Sequence, residues 1–248
     1  MVKIKKTALV TGAAKRLGRA IALSLAENGF SIIVHYHTSR NEAIDLCEEI
    51  AHKNVEAWPV KADLGNLRAP DALMNASMGF PGSLSVLVNN ASIFLADTLA
   101  DMTAGDFERT MRINAWAPLS LSRAFARKVK KGSIVNILDA RLPAFDRSHA
   151  AYSLSKSVLM NATPMCALEF APGIRVNAVA PGLILPPPGK DISYIENLKK
   201  RVPLRSYGAP RDIADAVMFL VKSRYCTGEI LYIDGGRRHA GYCFGDRR

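Results

Sequence analysis

A tyrosine and a lysine four positions apart, Tyr152 and Lys156, are the side chains of this sequence best suited to moving a proton. They fall near the start of a predicted helix over 151–170, where residues i and i+4 share one face. An ammonium beside a phenol favours the phenolate, so we expect Lys156 to lower the pKa of Tyr152 and make it a usable acid near neutral pH. Because such pairs also occur on plain helix surfaces, the prediction depends on the residues that accompany them.

Polar residues follow two apolar runs that are typical of buried strands. Asp139 follows the run 133–138. The tripeptide Asn89-Asn90-Ala91 follows the run 84–88. Ligands of open parallel sheets bind outside the carboxyl ends of the strands, so we expect these residues to meet Tyr152 at one edge of the sheet. Taken alone, Asp139 is also suited to capping the turn after its strand.

The turn after the first predicted strand is suited to binding phosphate. It runs from Thr11 to Gly18, contains Gly12, and leads from a strand into a helix. At such a position, unpaired helix amides and the positive end of the helix dipole attract an anion; the alternative is an ordinary tight turn. Arg16 stands where a middle glycine would let a pyrophosphate approach the backbone, and its guanidinium can contact phosphate oxygens instead.

The end of the second predicted strand indicates which dinucleotide this turn would bind. An enzyme that uses NADH places Asp or Glu about 20 residues beyond the glycine-rich turn, on the ribose 2′-hydroxyl. Here no acid occurs before Glu42, and the segment instead offers His37, Thr38, Ser39 and Arg40. These donors favour a 2′-phosphate, so the sequence predicts NADPH; the alternative is a solvated loop with incidental basic residues.

Apolar runs alternate with helical patterns along the whole chain. Seven runs are predicted as strands, over 7–11, 31–35, 55–60, 84–88, 133–138, 174–180 and 230–233. Apolar residues at helical spacing predict helices over 18–27, 41–52, 116–128, 151–170 and 210–221. This order predicts an α/β fold of Rossmann type, a single domain over 1–248 with a doubly wound parallel sheet and helices on both faces.

A single long irregular stretch, about 181–203, interrupts this alternation and contains three consecutive prolines, Pro186 to Pro188. A loop of that length in a compact domain is more often functional than a domain boundary. We therefore predict that it is a lid over the substrate.

Composition excludes several other classes of protein. The 248 residues are 49% hydrophobic and 22% charged, which is ordinary for a globular chain and excludes disorder. No apolar stretch approaches the ~20 residues of a membrane span, so no membrane partner is expected. Four cysteines without a CxxC pair favour a reduced, cytoplasmic protein over a disulfide or metal-binding scaffold.

The net charge of +11 is the unusual feature of the composition. Three lysines lie in the first six residues and four arginines in the last fourteen. Most of the remaining excess is accounted for by Lys15, Arg16, Arg19 and Arg40, near the predicted phosphate sites. That leaves too little charge for a nucleic-acid-binding surface. The histidines without ligand spacing, among them His149, are expected at the surface.

Taken together, these motifs resemble the short-chain dehydrogenase/reductase family over the whole chain. The matching pieces are the turn from Thr11 to Gly18, Asp63-Leu64, Asn89-Asn90-Ala91, Asn114, Tyr152 with Lys156, Pro181-Gly182 and Asp234-Gly235-Gly236. The resemblance implies that Tyr152 donates the proton, that Lys156 holds the nicotinamide ribose, and that Asn114 anchors a water leading to this lysine. It also implies a homotetramer and a set of cofactor-binding residues: Gly12, Arg16, Leu17, Gly18, His37, Thr38, Ser39, Arg40, Asp63 at the adenine, Leu64, Asn90, Ala91, Lys156, Pro181 and Gly182.

Three departures from the usual family pattern are similar to the pteridine and dihydromonapterin reductases: Asp139 in place of serine, and Ser92 and Arg16 in place of glycines. This resemblance implies that Asp139 assists Tyr152 in protonating a ring nitrogen. It implies that Phe94 stacks the pterin over the nicotinamide, and that Ser92 and Arg16 lie between the substrate and the cofactor phosphates. By its residue type alone, Phe94 is as easily a core side chain.

The sequence thus favours an NADPH-dependent reductase of a pterin of the dihydrobiopterin, dihydromonapterin or dihydrofolate type. The nearest rival is a 3-oxoacyl-carrier-protein reductase or another carbonyl-reducing member of the family, against which Asp139 argues. A rival of another class is a cofactor-sensing regulator or nucleic-acid-binding protein that keeps the fold without turnover. Intact Tyr152, Lys156 and Asn114 argue against that rival.

Overall fold

Seven parallel strands form one sheet in the order β3-β2-β1-β4-β5-β6-β7 in a computed structural model of the protein. The structure describes residues 5–142, 147–187 and 189–240, so Pro188 and three of the basic residues at the two chain ends, Lys3, Arg247 and Arg248, lie outside the described residues. The strands are β1 (Lys6–Val10), β2 (Phe30–Tyr36), β3 (Ala57–Lys61), β4 (Ser83–Asn89), β5 (Gly132–Ile137), β6 (Ile174–Pro181) and β7 (Ile230–Ile233). The prediction of a doubly wound parallel sheet is confirmed.

Helices connect the strands and cover both faces of the sheet. They are α1 (Arg16–Glu27), α2 (Arg40–Ala51), α3 (Ala69–Ser77), α4 (Ala104–Met111), α5 (Ala117–Lys128), α6 (Ala150–Glu169), α7 (Ile192–Leu198) and α8 (Pro210–Lys222). A π-helical segment, Arg112–Trp116, joins α4 to α5, and short 3₁₀ turns cover Lys199–Arg201 and Arg237–His239. No helix among the described residues has both the length and the apolarity to cross a membrane.

Alternating side chains of β1, an interior strand, point into two layers of the core. Ala8 and Val10 of β1 point to one face and pack with α1, α2 and α8. Leu9, between them, points to the other face and packs with α3 and α5. Burial on both faces explains why the strands are nearly continuous apolar runs, as expected for parallel sheets.

The strand order changes direction at β1, which pairs with β2 on one side and with β4 on the other. Chain connections therefore leave this point in opposite directions and open a crevice outside the carboxyl ends of β1 and β4. The turn containing Gly12 follows β1, and the tripeptide Asn89-Asn90-Ala91 begins at the last residue of β4.

Two long connections differ from the sequence-based expectation. The stretch 181–203 is not wholly irregular, because Asp191 caps α7 through a hydrogen bond from the Ser193 amide to its Oδ1 (3.0 Å). Conversely, residues 90–103 form a second long connection without a helix or a named strand, with a single bridge between Asp97 and His149. The expectation of a single irregular stretch was therefore wrong.

Candidate active site

The carboxyl edge of the sheet brings together the side chains predicted to do chemistry. Asp139 lies just after β5, and Tyr152 and Lys156 lie in the first two turns of α6. The Tyr152 hydroxyl donates to Asp139 Oδ2 across 3.1 Å. Tyr152 and Asp139, whose contact could not be derived from their spacing, are thus hydrogen-bonded. Asp139 therefore does more than cap its own turn.

Tyr152 is buried, and its surroundings keep it protonated. Burial raises the pKa of Tyr152 well above its ordinary value, the negative charge of Asp139 raises it further, and Arg141 opposes these effects. A phenol in this setting is a proton donor and not a phenolate.

Lys156 does not lower the pKa of Tyr152 in this arrangement, and that prediction was wrong. The Lys156 ammonium donates to the carbonyl oxygen of Ile137 (2.8 Å) and lies 5.9 Å from the centre of the Tyr152 ring. Burial and the charge of Asp139 are the larger influences on the pKa of Tyr152. Lys156 is itself fully buried, and burial lowers its pKa to about 8, an effect that Asp139 partly offsets.

Arg141 is a charged residue of the site that was not predicted from the sequence. Its Nε lies 3.1 Å from Oδ1 and 3.3 Å from Oδ2 of Asp139, and its Nη2 donates to Oδ2 (2.9 Å). Its backbone amide also donates to Asp139 Oδ1 (2.8 Å). A forked guanidinium–carboxylate pair fixes geometry as well as charge. The available signal was a basic residue two positions after the acid, in the same turn.

Phe94 is part of the site and not of the core. Its ring stacks on His149 at 3.8 Å between centroids, meets Tyr152 edge to face at 4.7 Å, and lies 5.3 Å from the Arg141 guanidinium. His149 is half-buried in this stack, so the expectation that it is a plain surface residue was wrong. An aromatic ring beside the proton donor suits a flat ligand; pterin stacking on Phe94 remains a prediction.

Asn114 lies in the π-helical segment and ties three elements together. Its Oδ1 accepts from the Ile93 amide (2.9 Å), and its Nδ2 donates to the Ile93 carbonyl (2.9 Å) and to Ser155 Oγ (3.1 Å). These bonds fix the connection after β4 against α6, and π-helical turns frequently occur at functional sites. The side chain is occupied by protein partners, and a water-anchoring role for Asn114 remains a prediction.

The cofactor end of the crevice is a close-fitting cradle built around two glycines. Gly12 has a φ of +61°, and a Cβ there would lie 3.1 Å from Ala91 Cα. A Cβ at Gly18 would collide with the carbonyl oxygen of Gly12. Thr11 Oγ1 accepts from the amides of Asn90 (2.9 Å) and Ala91 (3.0 Å), which joins the two loops.

The start of α1 has the features of an anion site. No side chain caps the helix and no acid lies in its first turn, so its amides face the crevice without a competing negative charge. Leu17 packs against the core, which leaves its backbone as the part able to meet a phosphate. Arg16 has a φ of +53°, and its guanidinium donates to the carbonyl of Pro186 (2.6 Å). It therefore bridges the phosphate turn and the segment 181–203.

The predicted adenine and 2′-phosphate residues lie side by side at the ends of β2 and β3. His37, Thr38 and Arg40 are exposed and Ser39 is half-buried. His37 Nε2 lies 3.9 Å from Asp63 Oδ1, and that oxygen also accepts from the Gly65 amide (2.9 Å).

The remaining predicted residues shape the crevice. Leu64, next to the predicted adenine residue Asp63, is buried, and Ser92 is exposed after β4, with its hydroxyl on the Ile93 carbonyl (3.3 Å). The Pro181 carbonyl accepts from the Ala140 amide (2.9 Å), and the Gly182 amide donates to Ile233 (2.8 Å). These bonds align the ends of β5, β6 and β7. The glycine cradle, the open helix terminus and the basic edge fit a phosphorylated dinucleotide.

Comparisons with known proteins agree with this geometry. The family described as enoyl-(acyl carrier protein) reductase matches residues 12–238. The 3-oxoacyl-[acyl-carrier-protein] reductase FabG of Staphylococcus aureus is 32% identical over 243 residues, covering 95% of this chain and 99% of the relative.

Two solved structures share the fold over nearly all of the chain. FolM alternative dihydrofolate reductase 1 from Brucella canis, complexed with NADP, has a TM-score of 0.91 and 29% identity, covering 98% of this chain and 96% of that one. A blue fluorescent protein from a metagenomic library, in complex with NADPH, has a TM-score of 0.86 and 36% identity, covering 94% of this chain and 97% of that one. The chain therefore belongs to the short-chain dehydrogenase/reductase family and is an oxidoreductase.

Proposed function

We propose that the protein is an NADPH-dependent reductase that adds hydride to a C=N bond of a dihydropterin. The observation that carries this proposal is the hydrogen bond between the Tyr152 hydroxyl and the Asp139 carboxylate, 3.1 Å long, beside the ring of Phe94. An acid coupled to a carboxylate suits delivery of a proton to nitrogen, and the aromatic ring suits a flat heterocycle.

The protein's own residues perform the proton transfer and the orientation. NADPH, when bound, supplies the hydride. Tyr152 donates its phenolic proton to the ring nitrogen of the substrate. Asp139, held by Arg141, then takes a proton from solvent and passes it to the Tyr152 phenolate. The positive charge of Arg141 favours the phenolate that exists between these two steps.

The residues proposed to hold NADPH divide along the crevice. The first-turn amides of α1 and Arg16 take the pyrophosphate, Thr38, Ser39 and Arg40 take the 2′-phosphate, and Asp63 takes the adenine. The NADP and NADPH complexes among the structural relatives support the choice of cofactor. Asn90, Ala91, Pro181 and Gly182 line the nicotinamide half, and Lys156 binds its ribose.

The second candidate is a 3-oxoacyl-carrier-protein reductase, and the similarity to FabG favours it. A carbonyl substrate needs a proton on oxygen, for which Tyr152 alone is sufficient. The hydrogen bond between Tyr152 and Asp139, together with the adjacent Phe94 ring, favours a pterin over a 3-oxoacyl substrate. The similarity to the FolM structure supports the pterin.

NADPH oxidation with a dihydropterin and with an acetoacetyl thioester distinguishes the two candidates. We expect turnover of the dihydropterin with the larger kcat/KM. A larger kcat/KM for the thioester would overturn the pterin proposal. The Asp139→Ser variant is the matched comparison for the wild type, because it introduces the serine that most family members carry at this position.

We also propose that the segment 181–203 closes over the substrate as a lid. The contact from Arg16 to the Pro186 carbonyl supports a closed position in which the phosphate turn and the segment touch. Limited proteolysis of this segment should slow when NADPH is added, because the cofactor would lie beneath it. Unchanged cleavage with saturating NADPH would contradict the lid.

A homotetramer acting in the cytoplasm completes the proposal. Leu154, Val158 and Met165 lie along one face of α6 and are 43%, 46% and 68% exposed. Such an apolar stripe on a helix is typical of a surface that a second copy covers. Light scattering should give four times the 27.0 kDa chain mass, and Val158→Asp should shift the mass toward smaller species; a wild-type monomer would contradict the assembly.

A further inference from the structure

Arg237 lies at the mouth of the substrate end, where three neighbouring strands finish. Ala140, next to Asp139, bonds to Pro181 at the end of β6, and Gly182 bonds to Ile233 at the end of β7. Arg237 follows β7 by four residues. The topology thus places Arg237 on the side of Asp139 and away from the phosphate turn after β1, and the charge of Asp139 acts on its guanidinium.

Two glycines hold the start of this segment against the base of the lid. Gly235 and Gly236 have φ values of +62° and +84°. The Gly235 carbonyl accepts from the Leu204 amide (3.2 Å), and a Cβ at Gly236 would lie 3.2 Å from Pro203 Cγ. Arg237 therefore emerges from a fixed backbone between the catalytic residues and the segment 181–203.

The two consecutive arginines of this turn have different surroundings. Arg238 is engaged: its guanidinium lies 4.0 Å from the Tyr232 ring and 3.5 Å from Asp234 Oδ1. Arg237 is half-buried, and within residues 5–142, 147–187 and 189–240 its side chain has no hydrogen bond or ion pair. A partly desolvated guanidinium without a partner is unfavourable, and an anion supplied by a ligand would offset that cost.

The nearby carboxylates are already occupied. Asp139 is held in the fork of Arg141, and Asp234 accepts from the amides of Gly236 and Arg238 (both 2.9 Å). Burial is the largest influence on the pKa of Arg237 and lowers it, Arg141 and Arg201 lower it further, and Asp139 and Tyr194 raise it. Arg237 therefore lies within electrostatic reach of Asp139 and Arg141, which are the residues beside Tyr152 and Phe94.

We infer that Arg237 forms an anion subsite that selects substrates whose tail, remote from the reduced ring, carries a negative charge. This inference rests on the proposed function and names its substrate class: an acid-tailed dihydropterin in preference to one with a neutral hydroxyalkyl tail. Guanidinium groups bind carboxylate and phosphate by the same bidentate geometry. The anion is thus either a carboxylate, as in a glutamate-bearing dihydropterin, or a phosphate ester.

The test compares kcat/KM for dihydrofolate, for a dihydropterin phosphate ester and for dihydrobiopterin, whose tail is neutral. The wild-type enzyme should favour at least one acid-tailed substrate by about tenfold. Arg237→Gln should bring that ratio close to one, and Arg237→Lys, which keeps the charge, should restore part of it. The acid-tailed substrate that loses most identifies the carboxylate or the phosphate as the partner.

Arg224→Gln is the matched control, because it removes the same charge from an exposed position between α8 and β7, at the opposite end of the sheet. It should leave the ratio unchanged, and thermal unfolding of each variant confirms that the fold is intact. Three results would each overturn the anion subsite alone. The wild type could show equal kcat/KM for acid-tailed and neutral substrates, or Arg237→Gln could keep the wild-type ratio. Arg237→Gln could also lose the same kcat/KM for both kinds of substrate while its KM for NADPH rises. The absence of NADPH oxidation with any dihydropterin would overturn the proposed function and this inference with it.

Discussion

The two ends of the crevice are built in different ways. At the cofactor end, backbone does the positioning: Gly12 and Gly18 leave no room for a Cβ, and Thr11 joins the two loops through backbone amides. At the substrate end, side chains do it: Arg141 holds Asp139, and Asp139 holds Tyr152. Positions where the backbone packs closely tolerate few substitutions. By contrast, Arg141, Asp139 and Tyr152 can each be substituted to remove one function at a time.

Tyr152→Phe should give the largest effect, and it tests the substrate end alone. The variant removes the hydroxyl that donates to Asp139 while keeping the ring against Phe94. We expect kcat to fall by about 10²–10⁴, the usual contribution of a positioned general acid, with little change in the affinity for NADPH. Steady-state oxidation of NADPH at saturating substrate measures kcat, and fluorescence titration measures the affinity for NADPH. Full retained activity would show that another group donates the proton.

Gly18→Ala should give the next largest effect, and it tests the cofactor end alone. The added methyl group meets the backbone oxygen of Gly12, which cannot move away as a flexible side chain can. Overpacking of this kind costs about 1–3 kcal/mol, and we expect NADPH affinity to fall by about tenfold or more as the turn shifts.

Gly105→Ala provides the control for that prediction. Gly105 lies in α4, and a Cβ at this position would have Thr103 Oγ1 as its nearest neighbour, 4.0 Å away. Alanine there should stabilise the helix by up to about 1 kcal/mol and leave cofactor affinity as it is. If Gly18→Ala behaved like Gly105→Ala in both measurements, the cradle would not be sterically closed.

The same difference explains which features were predictable from sequence. The cofactor end depends on steric requirements that only glycine meets, at a fixed spacing after a strand. Gly12, Gly18 and the doubly wound parallel sheet could therefore be predicted from pattern alone, whereas the order of the strands was not predicted. Arg141 was not recognised, because its one signal, a basic residue two positions after Asp139, resembles a solvated charge in any turn after a strand. Its role appears only when the chain folds it back onto Asp139.

Two further differences have the same physical origin. The connection 90–103 is ordered by the Asn114 side chain, 21 residues from its partner Ile93. The environment of Lys156 is set by the end of β5, whose Ile137 carbonyl takes the ammonium. Such tertiary contacts leave no local pattern in the sequence. The spacing therefore predicted that Tyr152 and Lys156 share one helix face, but it did not show which neighbours set their pKa values.

Arg141→Lys separates geometry from charge at the substrate end. Lysine keeps one positive charge near Asp139 but lacks the fork formed by Nε and Nη2. We expect kcat to fall by about tenfold, with a smaller change in KM, because Asp139 would no longer be held against Tyr152. Arg123→Lys, on the exposed face of α5, is the control and should leave kcat unchanged. An equal kcat for Arg141→Lys and the wild type would show that charge alone is sufficient.

Lys156 lies between the cofactor end and the substrate end of the crevice. The smallest expected effect is that its burial changes how the free energy of unfolding depends on pH. Its pKa is lowered to about 8 in the folded protein, below the ~10.4 of an exposed lysine. Between these values the unfolded chain binds more protons than the folded one, so this residue makes stability increase as the pH rises through that window. Relative to Lys156→Met, which does not titrate, the wild-type free energy of unfolding should gain about 1 kcal/mol from pH 8 to pH 9. Urea unfolding of both proteins at the two pH values measures the difference. A difference that stays constant would mean that the buried ammonium keeps its proton, and that the Ile137 carbonyl offsets the cost of burial.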